Sequence, residues 1–262
     1  MKIPIYQVDA FTSELFSGNP AAVCILDEWL DDDRLQAVAA ENNLSETAFL
    51  VKGKEGFEIR WFTPVTEVAL CGHATLASAF VIFTLQELPE DIIRFQTLKS
   101  GVLTVTRNGE FFAMDFPSLP PSRQDIPGQL SAALNHAPLE MLGVERFLLA
   151  VMEDESIVRE LKPDFDLLKQ TERRAIIVTA PGDRCDFVSR FFAPHLGIPE
   201  DPVTGSAHCV LIPYWSKRLG KRNLHARQLS KRGGELFCED KGERVAIAGK
   251  AVLYLEGAVT IR

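Results

Sequence analysis

The 262-residue sequence contains no CxxC pair, no long uninterrupted apolar run and no excess of basic charge, and each absence excludes a class of protein. Its five cysteines, an odd number, stand apart at 24, 71, 185, 209 and 238, which suggests neither a disulfide framework nor a zinc knuckle. No segment approaches the roughly 18 consecutive apolar residues of a membrane-spanning helix. The opening MKIPIYQVDAF lacks the apolar stretch of a secretory leader, so a reducing, cytoplasmic setting is expected. Lys and Arg total 28 against 36 Asp and Glu, a net charge of −8. That balance argues against a chain that lives on phosphate backbones, where positive charge must displace counterions. Nucleic-acid and membrane partners are therefore not expected, and small-molecule partners are favoured.

What the sequence does contain is core material. Hydrophobic residues make up 46% of it, enough to exclude disorder, and the length suits one large domain or two lobes. Residues 3–10 and 21–26 read as strands flanking the turn FSGNP, and 31–42 as a surface helix with Leu35, Val38 and Ala39 at helical spacing. LSETAFLV enters a strand after Glu46, and FEIRWF reads as the next. GHATLASAFVIF is apolar on nearly every side, which implies a helix buried all round. No serine- or glycine-rich linker is present, and the clearest break in composition is SLPPSRQDIPG, 118–128.

The chain also repeats itself. RWFTP at 60–64 returns as RFFAP at 190–194, and AFLV at 48–51 has a counterpart in AIIV at 175–178. GHAT at 72 matches GSAH at 205, an offset of 133 residues, and the same offset carries Gly101 onto Gly234 and the turn NGE at 108–110 onto KGE at 241–243. Matches in one order at nearly constant offset imply two lobes of similar build, each of mostly antiparallel strands around one very apolar helix. The N-terminal lobe is taken as 1–117 with about 252–262, and the C-terminal lobe as 118–251. Each helix begins at a glycine, Gly72 or Gly205, after a polar loop. If the lobes face one another, the two helix N-termini form a carboxylate-binding cleft; capping alone also favours hydroxyl residues at such positions.

Four residues are candidates for chemistry. Glu46 is either a solvated strand-end acid or a general base whose pKa is raised by apolar neighbours such as Phe49, Trp61 or Phe62. His73, in the first helical turn, is either structural or a proton donor held neutral by the helix N-terminus. With no second His or Cys at ligand spacing on that helix, no metal site is expected. Asp201 either ends a loop before Pro202 or serves the cleft, and Ser206 either caps the helix or touches a ligand. A two-thiol racemase would need facing cysteines, but Thr204 stands opposite Cys71 in the repeat, and Cys209 lies inside the helix as core.

NPAAVC, NLSETAFL, LCGHATLAS and DPVTGSAHC, in this order across essentially the whole chain, resemble the phenazine-biosynthesis PhzF-like proteins, relatives of diaminopimelate epimerase in fold. The resemblance implies an α+β fold of two pseudo-symmetric lobes of diaminopimelate-epimerase type, each a curled, mostly antiparallel sheet around a central apolar helix. It implies a homodimer and a cofactor-free isomerase that moves a proton on a small carboxylated metabolite. The family's catalytic glutamate falls on Glu46, its histidine on His73, and its aspartate and serine on Asp201 and Ser206. Gly72 and Gly205 would offer backbone amides to the substrate. The chain departs from the founding enzyme in having GHATLAS where proline often follows the histidine, and in being shorter, which leaves the substrate open. The alternatives are a two-base amino-acid racemase or epimerase, or a silent binding protein of the same fold.

Overall fold

The computed structural model describes residues 1–125, 128–171 and 174–261, with Thr171 described by its backbone alone. Residues 126–127, inside the proline-rich break at 118–128, and residue 262, the last of the C-terminal segment assigned to the first lobe, lie outside the described residues. The chain is α+β and separates into two compact units, Met1–Asp115 with Ala248–Arg262, and Phe116–Ile247.

The first unit runs β1 (Lys2–Ala10), β2 (Asn19–Leu26), α1 (Asp32–Asn42), β3 (Glu46–Lys52), β4 (Phe57–Phe62), β5 (Glu67–Val68), α2 (Gly72–Phe80), β6 (Ile92–Thr97), β7 (Val102–Asn108) and most of β8 (Phe111–Pro117). The second contains β9 (Ser122–Arg123), α3 (Gly128–Leu134), β10 (Glu140–Val144), β11 (Phe147–Val151), α4 (Glu155–Glu160), α5 (Phe165–Thr171), β12 (Ala175–Pro181), β13 (Phe187–Ala193), β14 (Ile198–Asp201), α6 (Gly205–Leu219), β15 (Asn223–Gln228), β16 (Gly234–Asp240) and most of β17 (Arg244–Gly249). The final strand, β18 (Ala251–Thr260), pairs antiparallel with β1 in the first unit.

Both units repeat one topology. β1 pairs antiparallel with β2, β2 parallel with β3 across the α1 crossover, β3 antiparallel with β4, and β4 parallel with β6 across α2. In the second unit, β10, β11, β12, β13 and β15 follow the same sequence of antiparallel, parallel, antiparallel and parallel pairings. Even the register recurs: Ile59 opposes Thr97, and Ser189 opposes Gln228.

Strand alternation sorts the first unit's side chains onto two faces. Cys24, Leu26, Phe49 and Phe62 pack with Leu35, Val38 and Ala39 of α1. The alternate residues Ala21, Val23, Ala48, Leu50, Ile59 and Trp61 are also buried, on the side of α2, which packs against β1, β2 and β3. A sheet covered on both faces explains why AAVCIL and AFLV are continuous apolar runs.

Helix α2 is buried from His73 to Ala79, as its all-round apolarity predicts. Its two hydroxyls are satisfied within the helix: Thr75 Oγ1 donates to the Cys71 carbonyl at 2.6 Å and Ser78 Oγ to the Ala74 carbonyl at 2.7 Å. The predicted helical run does not stay α-helical, since Val81–Leu85 widens into a π-turn. In α6 the buried side runs from Ala207 to Ile212 and on to Trp215 and Ser216. Trp215 stacks on Phe187 with centroids 5.6 Å apart and donates to Thr179 Oγ1 at 2.9 Å.

Candidate active site

Glu46 opens β3 on the face shared with Ala48 and Leu50, so strand parity turns it toward α2 rather than toward Phe49 and Phe62, which belong to the α1 side. His73, the second residue of α2, meets it there: His73 Nε2 lies 3.1 Å from Glu46 Oε2. The contact is off the line along which an N–H would donate, so neither atom has a formed hydrogen bond although both are buried. Both remain available to a third group at the same spot.

The other ring nitrogen has two neighbours. Asn19 Nδ2 is 3.2 Å from His73 Nδ1, and Cys71 Sγ is 3.5 Å from the same atom. Asn19, the first residue of β2, is fully buried, and its odd-numbered position puts it on the α2 face with Ala21 and Val23. Cys71 is the N-cap residue of α2, in extended conformation and with no side-chain capping bond.

Burial works against a charged His73, the Cys71 sulfur and the Glu46 carboxylate work for it, and the balance raises its pKa well above the usual value. Burial first, and the Glu46 charge second, push Cys71 up to about 11. The sulfur therefore keeps its proton at neutral pH, and the full charge that raises His73 is that of Glu46. The direction is opposite to the one expected from the helix end alone. The partial charge of a helix N-terminus is outweighed by a full carboxylate charge at 3.1 Å.

Glu46, Cys71 and His73 offer donor atoms within 4.8 Å of one another, a grouping that a search along the helix alone overlooks because the carboxylate arrives from β3. The short approaches, however, are to different ring nitrogens, carboxylate to Nε2 and sulfur to Nδ1. An ion bonded to one nitrogen would have only one of the other two donors at short range.

The remaining candidates lie in the second unit. Asp201 ends β14, and Gly205 and Ser206 open α6. Ser206 is not the cap: Thr204 holds the N-cap position, extended and without a side-chain capping bond, like Cys71 at α2. Its hydroxyl instead donates to Asp201 Oδ2 at 2.5 Å. Gln228, which sequence reasoning left out, clamps this turn. Its Nε2 donates to the Asp201 carbonyl at 2.8 Å, and its Oε1 accepts from the Thr204 N–H at 2.9 Å. Gln228 is 1% exposed; the legible signal was a polar residue at the buried phase of the strand NLHARQ. His208 Nδ1 is 2.8 Å from the Thr204 carbonyl, an approach that requires Nδ1 to donate, and burial pushes its pKa down to about 4. Cys209 is buried, its pKa pushed up to about 12 by that burial.

The profile of the PhzC-PhzF family, phenazine biosynthesis-like proteins, matches residues 8–257. The chain belongs to that family. An uncharacterized isomerase of Pseudomonas aeruginosa is 52% identical over 261 residues, covering 100% of both chains. The crystal structure of a PhzF-family phenazine biosynthesis protein from Enterococcus faecalis superposes with a TM-score of 0.97 at 48% identity, covering all of both chains. A predicted epimerase from Pseudomonas aeruginosa shares the fold at a TM-score of 0.77 and 18% identity, with 99% of this chain and 100% of that one covered. Within this PhzF-family chain, Cys71 and Thr204 hold equivalent N-cap positions in the two units, so a thiol stands at one helix entry and a hydroxyl at the other.

Proposed function

We propose that this PhzF-family chain is a cofactor-independent isomerase that moves a proton on a small carboxylated substrate by general acid–base catalysis. The observation that carries this reading is the pair Glu46 Oε2 and His73 Nε2, buried, 3.1 Å apart and without formed hydrogen bonds. Buried polar atoms are nearly always paired, and orphans mark places where a ligand completes the set. Glu46 takes the proton from the activated carbon, and His73 meets the charge that develops. The naming of a 52% identical relative as an isomerase supports the reaction class.

Asp201 and Ser206 are assigned to substrate binding and proton relay by the family motif. Gly72 and Gly205 offer amides at helix starts, where negative charge is favoured. The N-cap Thr204, in the position equivalent to Cys71, speaks against two-thiol racemisation. The test is deuterium exchange followed by NMR across a panel of dihydro-aromatic and other small carboxylic acids. Exchange or isomerisation that disappears in Glu46→Gln supports the reading. A Glu46→Gln variant with undiminished turnover would remove Glu46 from the mechanism.

A further inference from the structure

The environment of His73 Nδ1 carries an inference that rests on the acid–base reading and deepens it. The two groups beside that nitrogen are the Asn19 amide Nδ2 at 3.2 Å and the Cys71 Sγ at 3.5 Å. An amide nitrogen only donates, and a thiol that keeps its proton donates weakly. On the opposite side, Nε2 faces the carboxylate oxygen of Glu46 at 3.1 Å, an acceptor. Donors at Nδ1, with a carboxylate oxygen near Nε2 rather than a donor, favour one neutral tautomer.

We propose that Asn19, assisted by the Cys71 thiol, is a positioning residue that holds the neutral ring of His73 as its Nε2–H tautomer, so that His73 serves as a hydrogen-bond donor to the substrate beside the Glu46 base. This gives the asparagine of the NPAAVC motif a mechanical purpose. The Asn19 side chain is fully buried at the start of β2 and reaches across to the first turn of α2. A charged ring carries a second proton on Nδ1, which an amide N–H₂ at this distance opposes. The amide must then turn its oxygen to the ring, and release of the Nδ1 proton restores the Nε2–H form.

The arrangement selects a substrate class. Glu46 removes a proton from carbon, the electron pair left behind moves onto an adjacent oxygen, and the His73 Nε2–H donates a hydrogen bond to that oxygen. The substrate is therefore a carbon acid whose labile C–H stands next to a carbonyl or carboxylate oxygen. A neutral imidazole donor beside a carboxylate base is a known solution for enolisation.

The tautomer can be read without a substrate, so failure here is distinguishable from failure of the isomerase assignment. Protein labelled with ¹⁵N-histidine, in which His73 is identified among five histidines by its loss in His73→Gln, is examined by long-range ¹H–¹⁵N correlation. The measurement uses wild type at a pH high enough to discharge the ring, and Glu46→Gln, whose amide can either accept from or donate to Nε2 and so imposes neither tautomer. The expected pattern is a pyridine-type shift at Nδ1 and a pyrrole-type shift at Nε2 in both. The reverse pattern, or an even mixture, overturns the proposal. In Asn19→Asp a carboxylate acceptor faces Nδ1, and the proton should move there, with loss of the pyridine-type Nδ1 signal. In Asn19→Ser, whose hydroxyl both donates and accepts, a mixture is expected. Unchanged Nε2–H signals in both variants would show that Asn19 does not set the tautomer.

Discussion

At the scale of single residues, the two buried histidines have opposite electrostatic fates for reasons visible around each ring. His73 has a carboxylate 3.1 Å from one nitrogen, and its pKa is raised. His208 has burial and a backbone carbonyl in place of a carboxylate, and its pKa falls to about 4. Neutral His208 is thus favoured in the folded state, while the unfolded chain binds its proton near pH 6.5. Its contribution to stability is complete above that pH and is lost as pH falls from about 6.5 toward about 4. Thermal melts across this window should show a slope that is reduced in His208→Gln, whose amide can still donate to the Thr204 carbonyl. An unchanged slope would assign the acid sensitivity elsewhere. Gln228 offers a second residue-scale test. Replacing it with Leu leaves the Thr204 N–H without its acceptor in a buried turn, which costs about 1–3 kcal/mol; urea denaturation should show a lower midpoint with an unchanged slope. The histidine difference was not legible from GHAT and GSAH themselves, in which the histidine stands second and fourth. The decisive carboxylate comes from another strand.

Between elements, the duplicated RxF motif turns out to be a fastening. Arg60 on β4 makes a two-pronged bond to Glu67, with Nε–Oε1 at 2.7 Å and Nη2–Oε2 at 2.9 Å, and its guanidinium lies 5.1 Å from the Phe62 ring centroid. Arg190 on β13 repeats this with Glu200, at 2.7 Å and 3.0 Å, over Phe192 at 5.0 Å. A matching hook secures the loops ahead of the helices. Ser100 donates to the Ala69 carbonyl and Ser230 to the Pro202 carbonyl, both at 2.8 Å, each carbonyl three residues before the helix-opening glycine. The repeat seen in the sequence is therefore a repeat of what holds β5 and β14 against their neighbours. Arg60→Lys and Arg190→Lys keep the charge but lose the planar fork and the stacking. Each should destabilise its unit by about 1–3 kcal/mol, measured by chemical denaturation, and a loss below a few tenths would show that the fork is incidental.

For the whole molecule, the α+β architecture and the family were legible because the evidence for them is distributed along the chain. Periodicity marked the buried helices, continuous apolar runs marked the doubly covered strands, and the four motifs in order marked the family. The polar neighbourhood was less legible, because its members are brought together by strand parity and helix docking rather than by spacing. Asn19 was read as part of a turn motif, Cys71 as a racemase thiol without its partner, and Gln228 was not noticed. In the fold the first two converge on Nδ1 of His73, and the third clamps the turn that carries Asp201. In the proposed reaction Glu46 is a base acting on carbon, an assistance typically worth about 10² to 10⁴ in rate. The most direct measurement is the rate of carbon-bound deuterium uptake in heavy water, by NMR, for wild type and Glu46→Gln on the same carboxylic acid. Uptake by wild type and a loss of at least about a hundredfold in a Glu46→Gln protein that still folds are expected; equal rates in the two would contradict this role of Glu46.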